Sequence, residues 1–192
     1  MEGERTLAGV LRDLPDGQAV ALGDMLAATG TRTHGAALLL LSLPEALPLP
    51  LPSASAILGI PLVIVSAHLA LFGEAGALPR RLRARILPSW LVGALRGRIA
   101  DIIGRAEGLS RRRWLPLARS ERLLGLVCLY LSALLLAPLP LFNVPPALCL
   151  VLIAWGMVQR DGRAVAAGLA GTVVLTAALA GLVEWVRVRL EL

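Results

Sequence analysis

The chain has 192 residues, 57% of them hydrophobic and only 17% charged, with a mean hydropathy of +0.75. Soluble domains run at about 45–50% apolar and about 25% charged, so an ordinary water-soluble globule is not expected, and disorder is excluded by the same hydrophobicity. All 19 basic residues are arginine and the net charge is +6. Without lysine there is no phosphate-loop lysine, no Schiff base and no pyridoxal attachment. The positive charge would suit nucleic acid, but no aromatic–basic interleaving and no zinc spacing accompanies it. Cys128 and Cys149 lie inside apolar blocks and read as buried small hydrophobes, not as a disulfide or metal pair.

The first 33 residues are mildly acidic and lack the positive start and apolar run of a secretory signal, so insertion through internal segments is expected. Leu7, Val10, Leu11 and Leu14 share one face of a short helix over 6–14, with Thr6 as N-cap and Pro15-Asp16-Gly17 as its end. A second short helix is predicted over about 22–29. Residues 35–51 are almost wholly apolar but carry Pro44, Pro48 and Pro50. Proline removes a backbone donor and clashes with the preceding turn, so a helix from Gly35 should fail around 43–47. That leaves about 15–18 Å of helix, roughly half of a ~30 Å hydrocarbon core. A second apolar run covers 54–72, with Pro61 inside it. Another amphipathic stretch, about 90–106, carries Leu91, Leu95, Ile99, Ile102, Ile103 and Ala106. The run 123–141 ends in Ala137-Pro138-Leu139-Pro140-Leu141, and Pro145-Pro146 opens the run 146–158, proline being suited to a first helical turn. The last block, 164–186, has no proline and can cross a bilayer with some tilt.

The two broken blocks superimpose at an offset of 90. The pairs include Gly35/Gly125, Ser42/Ser132, Pro48/Pro138 and Pro50/Pro140. The amphipathic stretches correspond at an offset of 84 through Leu7/Leu91, Gly9/Gly93, Leu11/Leu95 and Arg12/Arg96. The expected organisation is one all-α membrane domain with three parts. Residues 1–88 form a first unit with its hairpin over 35–72, 89–162 a second unit with its hairpin over 123–158, and 163–192 a terminal transmembrane helix. The hairpins are either re-entrant or spanning. Paired broken segments in two halves point to a transporter-like site, because broken backbone at membrane depth must be buried in protein or line a watery cavity. Two tight hairpins with no substrate would show the same pattern.

Twelve arginines against three acids between residues 80 and 122 give that stretch a charge of +9. The positive-inside rule makes it cytoplasmic. Arg80, Arg81, Arg83, Arg85, Arg111, Arg112 and Arg113 are expected to meet anionic lipid headgroups, or else a polyanionic glycan or lipid-phosphate substrate.

The ordered motifs resemble one family. They are Thr33-His34-Gly35 leading into Leu38 to Leu41, Leu43-Pro44-Glu45, Pro48-Leu49-Pro50 and Ile57-Leu58-Gly59-Ile60-Pro61-Leu62. Leu78-Pro79-Arg80-Arg81-Leu82-Arg83, Pro138-Leu139-Pro140 with Asn143, and Arg160-Asp161-Gly162 follow. In this order and spacing, over nearly the whole chain, the sequence resembles the exopolysaccharide synthesis ExoD family. The resemblance implies a small bacterial inner-membrane protein, multi-pass, connected with exopolysaccharide production. It supplies no catalytic residue. His68 departs from it, since glutamine or a similar polar residue would be expected there.

The chemistry-bearing candidates are few. Glu45 lies within an apolar broken segment, where an ionisable group is a functional candidate by default; at the interface it would simply be solvated. His68 in the second apolar run can titrate near neutral pH or serve as a hydrogen-bonded packing residue. His34 is expected at the interface. Ser53, Ser55 and Asn143 occupy equivalent breaks and can cap freed amides or contact a polar substrate. No catalytic motif, metal-ligand spacing or nucleotide loop is present in the sequence, so an enzyme, a cofactor and a metal are not expected. A central site of Glu45, Ser53, Ser55, His68 and Asn143 is predicted, with the arginines at its cytoplasmic mouth. The expected function is a transporter-like or translocation-assisting module. The alternative is a non-transporting scaffold or regulator of the polysaccharide synthesis machinery. Lipids, a second copy of the chain and synthesis proteins are the expected partners, and nucleic acid is not.

Overall fold

The computed structural model describes residues 6–15, 20–27, 33–46, 54–87, 89–109, 117, 120–136 and 143–190. The chain opens with α1 (Leu7–Arg12), where the Thr6 hydroxyl accepts from the Gly9 N–H at 3.2 Å and Leu7, Val10 and Leu11 are buried. A two-residue strand β1 (Val20–Ala21) runs into α2 (Leu22–Ala27). The first hairpin is α3 (Thr33–Ala46) and α4 (Ala54–Phe72). Then come α5 (Arg80–Arg83), β2 (Ile86–Leu87), α6 (Ser89–Ala94), a wide π turn over Leu95–Ile99, and α7 (Ala100–Leu109). The second hairpin is α8 (Glu121–Leu136) and α9 (Val144–Gln159), and α10 (Gly162–Leu190) closes the chain.

Sequence punctuation explains most of these limits. Pro44 lies within α3 near Ala46, and residues 47–53, into which the expected break extends, lie outside the described residues. α9 starts on prolines that have no N–H to lose there and stops at Arg160, whose backbone is left-handed with φ 57°. Pro61 does not stop α4, which continues through it to Gly73 at φ +68°.

Helices α3, α4, α8 and α9 make a four-helix bundle. Within it α4 packs chiefly on α8 and α3 chiefly on α9. Every residue of α3 from His34 to Ala46 is buried. His34 lies beside Glu74, Gly35 beside Met157 and Val158, and Glu121 beside Glu74. The starts of α3, α8 and α10 and the ends of α4 and α9 therefore gather at one end, which also leads into α5. This is the proximal end. The described ends of α3 and α8 and the described starts of α4 and α9 lie at the opposite, distal end.

A smaller layer is built by the amphipathic pieces. α1 packs on α7, with the Leu7 N–H donating to Glu107 Oε1 at 2.8 Å and Arg12 meeting Asp101 at 3.0 Å. Val20 and Ala21 pair antiparallel with Leu87 and Ile86. This short ladder departs from the all-α expectation, since two residues carry no readable period. The predicted helix over 90–106 is also divided. It passes through the π turn, where Gly97 has φ −88° and ψ −110°.

α10 is 29 residues long, about 43 Å at helical rise. Among the described residues it is the helix long and apolar enough to cross a membrane by length and composition, and only 22% of its most apolar stretch is buried. It runs antiparallel along α9: Gly156 faces Val165, and Gly168 faces Ile153. Its residues 180–190 are all exposed and extend past the distal end of the bundle.

Candidate functional site

Two histidines and two acids meet at the proximal end. His34 stands in the first turn of α3 and is fully buried, at 0% exposure. Its Nε2 lies 2.9 Å from His68 Nδ1, near the end of α4, and the two rings lie edge to edge, 12° from parallel, with centroids 5.1 Å apart. Phe72, one turn further along α4, covers the outer side of His68. On the other side of His34, Nδ1 lies 3.3 Å from Glu74 Oε2.

The position of Glu74 follows from helix chemistry. The first N–H groups of α3 have no partner within the helix, and an anion there is favoured by the aligned peptide dipoles. Glu74 accepts from the N–H of His34 at 3.0 Å and of Gly35 at 2.7 Å. Glu121, in the first turn of α8, accepts in turn from the Glu74 N–H at 2.9 Å. The positive φ of Gly73 turns the chain tightly enough for this, and a Cβ at Gly73 would strike the Glu121 carboxylate. A chain of hydrogen bonds thus links α8, the turn after α4, α3 and α4.

The cluster can hold and pass a proton. It does not suit a metal, since the facing ring nitrogens are 2.9 Å apart and bonded to each other. A zinc ion needs about 2.0–2.1 Å to each nitrogen. No group of metal-ligating side chains is found among the described residues.

The predicted central site is divided by this geometry. Glu45 is buried at the distal end of α3, and Asn143 precedes α9 at that same end, its carbonyl accepting from the Ala147 N–H. Residue 55 belongs to the first turn of α4, also distal, while its side chain and all of Ser53 lie outside the described residues. His68 is some thirteen residues further along α4, about 20 Å away, and belongs to the proximal cluster instead. The reason is the alternation of direction within each hairpin, which puts the two ends of one apolar run at opposite ends of the bundle. His34 is buried within the protein at the start of α3. Arg80, Arg81, Arg83 and Arg85 are exposed in and just after α5. Arg111, Arg112 and Arg113 lie outside the described residues. The sequence reading passed over Glu74, though an acid in the Gly73-Glu74-Ala75-Gly76 turn directly after an apolar run was the available signal.

The family model described as exopolysaccharide synthesis, ExoD, matches residues 4–181. The chain belongs to this family. The ordered motifs had implied as much. Protein ExoD of Rhizobium meliloti is 29% identical over 170 residues, which cover 85% of this chain and 70% of that protein. An uncharacterized protein of Synechocystis sp. is 25% identical over 163 residues, 83% of this chain and 76% of that one. No solved structure matches the chain. ExoD membership links the protein to exopolysaccharide synthesis.

Proposed function

We propose that this protein is a bacterial inner-membrane protein, crossed by α10 and entered by the two helical hairpins, that assists movement of a substrate during exopolysaccharide production, as a small transporter-like module. The observation that carries this reading is the matched architecture of the two hairpins. The described parts of α3 and α8 run to Ala46 and Leu136, and those of α4 and α9 run from Ala54 and Val144, each pair 90 residues apart. The same offset exchanges the α3–α9 contact with the α4–α8 contact, which supports a duplicated hairpin. Both hairpins start and finish proximally, which is the parallel form of internal repeat.

The membrane placement draws on lengths. α9 has 16 residues, or about 24 Å, short of a ~30 Å hydrocarbon core. The apolar part of α10 continues distally beyond α9, with Leu182, Val183 and Trp185 exposed at 52%, 65% and 59%. In this reading the helical hairpins stop short of the distal polar boundary that Arg187 and Arg189 mark, as re-entrant segments do. The buried Glu45 and the start of α9 at Asn143 then lie at membrane depth beside both breaks, where a polar substrate would be met. The arginines of α5 flank the cytoplasmic mouth.

The test is flux of lipid-linked glycan or ions in proteoliposomes of the purified chain. Glu45→Gln should reduce it by at least tenfold; unchanged flux removes Glu45 from the mechanism, and absent flux in the parent chain removes transport. The exposed arginines of α5 favour a second reading, a scaffold for the synthesis machinery. Co-purification with synthesis proteins that is lost on neutralising Arg80, Arg81, Arg83 and Arg85, without any flux, would decide for it.

A further inference from the structure

We propose that His34, His68 and Glu74 form a proton-binding site that holds one shared proton between the two imidazoles and fastens the proximal end of the bundle. The site is independent of what the protein moves. Its basis is the direct ring-to-ring contact of 2.9 Å between His34 Nε2 and His68 Nδ1. Such a contact needs N–H on one nitrogen and a bare lone pair on the other. Two fully protonated rings would place N–H against N–H, so the pair in this geometry carries at most one imidazolium.

A carboxylate stands beside the pair. Glu74 lies 3.3 Å from the far nitrogen of His34 and is itself anchored by the N–H groups of His34 and Gly35. The carboxylate therefore stays in place whichever tautomer the rings adopt, ready to receive His34 Nδ1–H. Glu121 of α8 faces the turn, with one oxygen held by the Glu74 N–H. From α9, Met157 and Val158 lie against Gly35, and neither side chain carries a charge. His34 itself is sealed, but His68 is half-buried and the Glu74 side chain is 12% exposed. Protons can enter and leave through those two groups.

Occupancy has a structural consequence. The imidazole bond ties the first turn of α3 to the end of α4. A second proton removes the acceptor lone pair and puts two like charges in contact, so the bond breaks and His34 separates from His68. The tie is present at higher pH and lost as pH falls through the second protonation step.

The chain has two histidines, both in this site, so histidine-selective nitrogen-15 NMR of the full chain in lipid nanodiscs reports on nothing else. The expected result is a scalar coupling between His34 Nε2 and His68 Nδ1 across the hydrogen bond. Both rings should sense two separated titration steps, and the coupling should vanish below the lower one. In His68→Gln, whose amide preserves polar contact with His34, the remaining ring should titrate in a single step. Two independent single steps in the parent chain, with no coupling at any pH, would overturn the proposal. So would an identical His34 titration in the parent chain and His68→Gln.

Discussion

Gly125 and Gly35 show how differently two matched residues are constrained. A Cβ on Gly125 would run into the backbone of Leu69 and Ala70, because α8 lies directly against α4 there. A Cβ on Gly35 would meet only side-chain atoms, Glu74 Oε1 at 3.2 Å, Val158 Cγ2 at 3.3 Å and Met157 Cβ at 3.4 Å. Side chains can give a few tenths of an ångström, whereas packed backbone moves only by parting the helices. Gly125→Ala should therefore cost about 1–3 kcal/mol as an overpacking change, and Gly35→Ala clearly less. Thermal midpoints of both variants in detergent check this, and equal losses would contradict it. The sequence paired these glycines by offset, but it could not show which one faced backbone. Nor could it show that two histidines 34 residues apart in sequence share a hydrogen bond. Each appeared as a lone imidazole beside its own apolar run.

The turn after α4 acts as the cap of α3. Glu74 holds two N–H groups at the start of a 14-residue helix, through charge-assisted bonds in a largely buried place. Glu74→Ala should cost about 1–2 kcal/mol, the range of lost caps, and should speed amide exchange at residues 34 and 35. The ion pair between α1 and α7 offers the contrast. Arg12 and Asp101 side chains are 56% and 63% exposed, so water screens them and Arg12→Ala should change stability by less than about 1 kcal/mol. A larger loss for Arg12→Ala than for Glu74→Ala in the same unfolding assay would reverse this ranking. Most helix limits were legible because proline and glycine stand at them. The π turn at Leu95–Ile99 was not, since its residues keep an apolar spacing that an undisturbed helix would share. The β1–β2 pair was illegible for a related reason, being too short for any period.

At the level of the whole molecule, the parallel arrangement of the hairpins gives a directional prediction. Ala75, in the turn after α4, and Arg163, at the start of α10, both lie proximally and are exposed, whereas Leu190 is distal and 82% exposed. Both native cysteines are buried. In intact cells, an impermeant thiol reagent should label Leu190→Cys and spare Ala75→Cys and Arg163→Cys until the membrane is opened. Labelling of Ala75→Cys and Arg163→Cys from opposite faces would break the bundle topology, and no protection of any site would remove the membrane reading. The labelling pattern expected follows from the proposed membrane placement, in which the arginine-rich stretch 80–122, next to the proximal end of α4, would face inward by the positive-inside rule.

The sequence by itself determined the apolar segments, their interruptions, the family and the side on which positive charge collects. Those features depend on composition and on proline and glycine chemistry, which act locally. Tertiary structure alone decided which segment ends share a neighbourhood. Hairpin direction sends Glu45 and His68 to opposite ends of the bundle, and the crossing of α3 with α9 and α4 with α8 closes the bundle end where His34, His68, Glu74 and Glu121 meet. Proximity across a bundle depends on packing geometry, and no local spacing of residues encodes it.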